Sequence, residues 1–271
     1  MTDPTRLSGA TPRLYHTPSS YYSMIARLAL IEGGVACERV FVDIHFRMNQ
    51  QRPDYVRLNP NMAVPTLVLE HRILDQSRDI ARYALGAGEG ALDGEAKAWL
   101  DLHYGYPIEE LTFSGIIARN PMARILVPKL LSRAHRRLLA LAALNPDLAA
   151  AYAARAEIFA RRARTFDPAS ARRLSEQRRA EAIAIMDRME RTLRDGRVTL
   201  VPPAYGIVDA VFTVFLGRVE FAGLGAEIPK RPALAGYWRA MQARRSFAAA
   251  DIWTRFHPFR LIGGILGPDR G

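Results

Sequence analysis

Apolar residues fall along this chain in two rhythms. Up to about residue 86, short apolar segments alternate with helically spaced ones; beyond residue 94 the spacing is helical almost throughout. Leu14-Tyr15-His16 reads as a short strand, and the loop Thr17-Pro18-Ser19-Ser20 leads into a helix from Tyr21. Met24, Ile25, Leu28 and Ala29 share one face of that helix until Gly33-Gly34 stops it. Residues 39–44 (RVFVDI) form a second strand, followed by a polar crossover with one helical turn at 54–58. Residues 59–80 organise this half of the chain. Val64-Pro65-Thr66 runs into the apolar Leu67-Val68-Leu69, the charged turn Glu70-His71-Arg72 reverses direction, and Ile73-Leu74 forms a partner strand. Pro65 lacks an N–H and suits the first position of a strand. Ser77 precedes the helical spacing Ile80, Tyr83, Ala84 and is expected to cap that helix, leaving N–H groups free to seat an anion.

The order is therefore β-α-β-α-β-β-α over residues 13–87, a small mixed sheet carrying helices. Residues 86–94 (GAGEGALDG) read as a linker. An all-α domain is expected over 95–260, with helices near 95–118, 121–143, 147–165, 168–195, 207–223 and 232–247. Pro121, Pro146, Pro168 and Pro202-Pro203 mark its starts and breaks.

Composition narrows the class without choosing a chemistry. The apolar share of 49% and charged share of 24% are ordinary for a water-soluble globular chain, and no run reaches the ~20 apolar residues of a membrane span. The first residues, MTDPTRLSGATPR, lack the apolar core of a secretory signal, and Cys37 is the single cysteine, so no internal disulfide forms. A cytoplasmic location is expected. The net charge of +11 is concentrated: residues 119–194 hold 17 Lys+Arg against 7 Asp+Glu, while residues 1–90 hold 10 against 9. A face that alternates Arg with Leu, Ile and Ala is first of all a solvated one. Weak contact of this basic segment with an anionic membrane, or with an acidic small molecule, stands behind that reading. Nothing accompanies it that suggests nucleic-acid binding. The six histidines lack metal-ligand spacing, so no metal is expected.

Three stretches, LYHTPSSYYSMIARLAL (14–30), NPNMAVPTLV (59–68) and DQSRDI (75–80), together with the helical second half, resemble the cytosolic glutathione S-transferase superfamily. The first stretch and Gln76-Ser77 look like its zeta class. PDYVRLN (53–59), VPTLV (64–68) and ARRSF (243–247) are similar to its tetrachlorohydroquinone reductive dehalogenase branch, and the ganglioside-induced differentiation-associated proteins are a more distant likeness. The resemblance implies a thioredoxin-like first domain that binds glutathione, a helical domain that binds a hydrophobic, aromatic second substrate, and a homodimer. By resemblance the Val64–Pro65 bond is cis and the Val64 backbone pairs with the cysteinyl part of glutathione. Gln76 and Ser77 would hold its γ-glutamyl carboxylate, and Gln51 its glycyl end.

Thiol activation is the chemical core of such a site. A free thiol, with a pKa near 8.5, is mostly protonated at neutral pH, and a hydroxyl donating to sulfur beside a helix start favours the thiolate. The zeta-like alignment puts Ser20 in that role and Ser23 matches the serine of some β-etherase-type relatives, while either could simply cap the helix. Tyr15 precedes the position of the catalytic tyrosine of other classes, which is His16 here. His103, Tyr104, Tyr106 and Phe113 either line an aromatic substrate pocket or pack between the domains. Gly206-Ile207-Val208-Asp209 resembles the capping box of the family's central helix, with Asp209 structural. In the dehalogenase branch a cysteine nucleophile would fall at Tyr22, and its absence argues against thiol-disulfide exchange. The expected activity is attack of a serine-stabilised glutathione thiolate on an aromatic electrophile. The alternatives are a zeta-like cis-trans isomerase or lyase, or a non-catalytic binding or membrane-surface protein.

Overall fold

A computed structural model describes residues 11–86, 92 and 94–256. Most of the Gly-rich linker, the 87 and 260 domain limits and the apolar tail lie outside these residues. The first lobe contains β1 (Arg13–His16), α1 (Tyr21–Glu32), β2 (Glu38–Phe41), α2 (Pro53–Leu58), β3 (Thr66–Val68), β4 (Ile73–Leu74) and α3 (Ser77–Leu85). Its sheet has the order β2-β1-β3-β4, with β1 parallel to β2 and antiparallel to β3, and β3 antiparallel to β4. The expected element order and mixed sheet are therefore present. β2 is shorter than expected: it ends at Phe41, because Asp43 turns the chain by accepting from the backbone N–H groups of His45, Phe46 and Arg47 at 2.9, 2.9 and 3.1 Å.

α1 is the central helix of this lobe, with Met24, Ile25, Leu28 and Leu30 at most 1% exposed. Gly33 allows its C-terminal end to approach α3, since a Cβ there would sit 2.0 Å from the Ala84 carbonyl oxygen. Gly86 closes α3 at φ +73, the left-handed conformation glycine adopts without steric cost.

The second lobe is helical: α4 (Gly94–Gly105), α5 (Ile108–Arg119), α6 (Pro121–Leu144), α7 (Ala149–Thr165), α8 (Ala171–Leu193), α9 (Ile207–Val219), α10 (Pro232–Ala243) and α11 (Arg245–Ala249). The helix expected at 95–118 is two helices, broken at Tyr106-Pro107, because proline disfavours helical geometry in the residue before it. The stretch expected as one helix over 232–247 is likewise two, parted at the extended Arg244. A continuous core joins the lobes, running from Leu14 and α1 through Trp99 of α4 to Phe212 and Phe215 of α9 and on to Trp253. Asp209 is fully buried and accepts from the Leu200 N–H, the Gly206 N–H and the Tyr237 hydroxyl at 2.9, 3.1 and 3.0 Å, which fixes the start of α9 as expected of a structural residue. The basic segment is more than a solvated face. Leu138 of α6 with Tyr152 and Ala156 of α7 packs on Val56 of α2 and on Met62, so the α6–α7 hairpin docks on the first lobe.

Candidate active site

Strand register brings the candidate residues to one edge of the sheet. Tyr15 pairs with Thr66, so the loop after β1 that carries Ser19 and Ser20 emerges beside Val64-Pro65. Leu67 pairs with Leu74, so Gln76 and Ser77 leave β4 at that same edge. β2 runs parallel to β1, which brings the loop that leads to Gln51 there as well. Four segments distant in sequence thus converge at the N-terminal end of α1. The Val64–Pro65 bond is cis, as the resemblance implied. The turn ahead of it is held by the Tyr55 hydroxyl and the Asn59 amide, which donate to the Ala63 carbonyl at 2.6 and 3.1 Å.

The serines of the α1 loop have separate environments. Ser20 is the N-cap of α1: its hydroxyl oxygen accepts from the Ser23 N–H at 3.3 Å, which leaves its proton available for a second partner. Ser23 is fully buried and its hydroxyl faces the Thr17 N–H at 3.5 Å, inside the loop. Ser19 shares a 2.8 Å hydrogen bond with His45. Behind the loop, the buried Arg27 donates to the carbonyls of Thr17, Pro18, Ala250 and Asp251 at 3.3, 3.0, 2.8 and 3.2 Å. Arg27 escaped the sequence reading, although a lone arginine within the apolar run MIARLAL was its available signal.

At α3 the cap differs from expectation. Gln76, in extended geometry, is the N-cap and makes no side-chain cap bond, while Ser77 occupies the first helical turn. The Ser77 hydroxyl instead lies 3.3 Å from that of Tyr104, in α4, which draws it off the helix axis. The N–H groups of Asp79 and Ile80 already bond to the Gln76 carbonyl. Those of Ser77 and Arg78, one turn too early for helical acceptors, have no acceptor among the described residues. Gln51 is 1% exposed; its carbonyl accepts from the Tyr152 hydroxyl at 2.8 Å, and its side-chain oxygen has no partner among the described residues.

The four aromatic candidates do not form one pocket. His103 is buried, stacked on Tyr21 and bonded to its hydroxyl at 2.6 Å, and burial pushes its pKa down to about 3, so the ring is neutral. Tyr104 links it to Ser77. Tyr106 is buried, with its hydroxyl donating to the Arg178 carbonyl at 2.7 Å, which is packing within the helical lobe and not between the domains. Phe113 is 42% exposed and packs edge-on against Phe166. Tyr22 is half-buried at the start of α1, with its pKa raised to about 12 by burial, and Glu109 and Arg162 act on it electrostatically. Arg218 of α9, which the sequence reading also missed, reaches the Ser19 carbonyl at 3.4 Å. A cavity of about 490 Å³ lies elsewhere, between α8 and α10, and is lined by Glu190, Leu193, Arg197, Pro232 and Tyr237. It contains none of the candidate residues.

Cys37 lies beyond the opposite end of α1, a 12-residue helix about 18 Å long, and burial raises its thiol pKa. Among the described residues no cluster of three His, Cys, Asp or Glu could hold a metal, and no helix is long and apolar enough to cross a membrane.

Comparison with known proteins converges on one family. Residues 19–85 match the family described as "Glutathione S-transferase, N-terminal domain". The chain is 31% identical over 257 residues to a tetrachloro-p-hydroquinone reductive dehalogenase of Sphingobium chlorophenolicum, covering 88% of this chain and 95% of that one. It is 26% identical over 244 residues to an Arabidopsis thaliana glutathione S-transferase, covering 87% of each. Its fold matches a glutathione transferase from Populus trichocarpa with a TM-score of 0.62 at 16% identity, covering 91% of this chain and 100% of that chain. A Pseudomonas fluorescens family member with two glutathione molecules bound gives the same TM-score and identity, over 89% of this chain and 92% of that one.

Proposed function

The chain belongs to the glutathione S-transferase superfamily as a glutathione-dependent enzyme, and on that footing we propose that it attacks an aromatic electrophile with a serine-stabilised glutathione thiolate. The observation that carries this reading is the convergence of Ser20, Val64, Gln51 and the α3 start at one sheet edge. Glutathione lies along that edge with its γ-glutamyl carboxylate on the N–H groups of Ser77 and Arg78. There the helix dipole and charge-assisted hydrogen bonds favour an anion. Its cysteinyl part pairs with Val64, and its glycyl end approaches Gln51.

The Ser20 hydroxyl then donates to sulfur while its oxygen continues to accept from the Ser23 N–H. Capping and thiol activation are therefore compatible in one residue, and the lone-pair contact polarises the hydroxyl toward donation. Ser23, fully buried and turned toward Thr17, is the weaker candidate. The chain lacks a cysteine at Tyr22, and Cys37 lies at the far end of α1, so a mixed disulfide with glutathione does not form at this seat. The chemistry therefore differs in that step from thiol-disulfide exchange of the dehalogenase kind, and is transfer, or isomerisation by reversible thiol addition. Calorimetry with glutathione tests the reading: saturable binding at or below millimolar concentration supports it, and no heat at that concentration removes it.

A second, compatible reading concerns α6. Met122, Ile125, Leu126 and Leu130 are exposed by 46–62%, the nearby Lys129, Arg133, Arg136 and Arg137 are exposed, and residues 121–144 contain no Asp or Glu. Exposed apolar groups beside basic ones that make no ion pair among the described residues fit the surface of an anionic bilayer. Co-sedimentation with phosphatidylserine vesicles should be salt-sensitive and weakened by Leu126→Glu; no sedimentation would leave α6 without a lipid role.

A further inference from the structure

The entrance of the α1 loop holds more positive charge than its neighbours neutralise. Arg218 is 7% exposed, yet among the described residues no carboxylate lies within ion-pair distance of it. Among the described residues its one hydrogen bond is the long contact to the Ser19 carbonyl and its Nε atom has no partner, while its guanidinium lies over the rings of Tyr21 and Phe221, 5.5 and 4.6 Å from their centroids. Arg155 of α7 is half-buried, and among the described residues its guanidinium meets only the Phe159 ring, at 5.5 Å. Glu109 acts electrostatically on Tyr22, Arg155 and Arg218 alike, so these groups share one field, but its carboxylate is ion-paired to Arg162. Three guanidinium groups therefore face one carboxylate.

Removing a cation from water without a counter-ion is costly, and the strain registers in the groups themselves: burial lowers the pKa of both Arg155 and Arg218 to about 10. A guanidinium kept in that state beside Ser19, on a floor of aromatic rings, matches the shape of an aromatic anion, whose ring stacks while its acidic group meets the fork. We propose that the second substrate carries an anionic group on an aromatic ring and that Arg218 anchors it, with Arg155 adding to the field. The proposal rests on the glutathione reading above. In the transfer that follows, the thiolate sulfur forms a bond to the electrophilic ring carbon, the leaving group departs with its bonding pair as halide, and the thiol proton has already passed to solvent.

Two ready-made products test this without requiring turnover: S-dinitrophenyl-glutathione and its ring-carboxylated counterpart, titrated calorimetrically after glutathione itself. The intact chain should bind the carboxylated conjugate at least about tenfold more tightly, and Arg218→Met should bring the ratio close to one. Because Arg218→Met removes an unpaired buried charge, the ligand-free variant should melt no lower than the parent, whereas a purely structural arginine would lower it. Equal affinities in the intact chain, or a preference that survives Arg218→Met, overturns the proposal, and the first of these outcomes needs no variant. A chain that binds glutathione but takes both conjugates equally loses only the anion site. Failure to bind glutathione at all removes the underlying reading and this proposal with it.

Discussion

Replacing Asp209 with alanine removes the acceptor of three buried donors at once: the N–H groups of Leu200 and Gly206 and the hydroxyl of Tyr237, at 2.9, 3.1 and 3.0 Å. Each buried donor left without an acceptor costs about 1–3 kcal/mol. These costs do not add, because the residues share one network. Part is also offset, since burial raises the Asp209 pKa despite its hydrogen bonds and the variant no longer buries that group. A net loss of about 3 kcal/mol follows, which is large against a total stability of about 5–15 kcal/mol and lowers the melting temperature by roughly 6–12 °C. Tyr237→Phe removes one donor without stranding another and should cost no more than about 1 kcal/mol. Urea unfolding gives the stability of both variants, and turnover of chlorodinitrobenzene well below the melting temperature gives the chemistry. The expected result for Asp209→Ala is a lowered midpoint with turnover per folded molecule largely kept. Normal melting with lost turnover would refute the structural assignment of Asp209.

Stability should also depend on pH through His103. Burial holds it neutral, with a pKa pushed down to about 3, whereas the unfolded chain takes up this proton near 6.5. The unfolded state therefore binds more protons between those values, and stability is full above about pH 6.5 and is lost as pH falls, at about 1.4 kcal/mol per unit. The unfolding free energy from urea titrations should fall by about 2 kcal/mol between about pH 7 and about pH 5, and His103→Gln should flatten that slope; an identical slope in the variant would contradict it. Arg27→Met removes four donated hydrogen bonds to carbonyls and frees the loop that carries Ser20. It should weaken glutathione binding by about tenfold and lower the melting temperature, and unchanged binding by calorimetry would show that Arg27 has no part in positioning the loop.

What could be read from the chain was what local pattern encodes. Proline at the start of a strand, alternation across residues 67–69 and the Gly33-Gly34 stop each act within a few residues, and β1, β3, β4 and α1 follow from them. The break between α4 and α5 was hidden because helical spacing of apolar residues continues across Pro107. The cap of α3 moved from Ser77 to Gln76 because the Tyr104 hydroxyl, 27 residues on, competes for the Ser77 hydroxyl. Arg27 and Arg218 could not be found from periodicity. Arg27 takes its partners up to 224 residues away and Arg218 takes Ser19 from 199 residues away. The basic segment misled for the same reason: its charge pattern describes a wet face, while the opposite face docks on α2 through Leu138, Tyr152 and Ala156.

The role of Ser20 is tested most directly by the ultraviolet absorbance of bound glutathione thiolate, followed against pH in the parent chain and in Ser20→Ala. A hydroxyl that donates to sulfur should hold the bound thiol's pKa well below its free value of about 8.5, and losing it should raise that pKa by about one unit or more. Ser23→Ala should leave the titration in place. Coincident curves for the parent and Ser20→Ala, with glutathione bound equally in both, would contradict the serine mechanism.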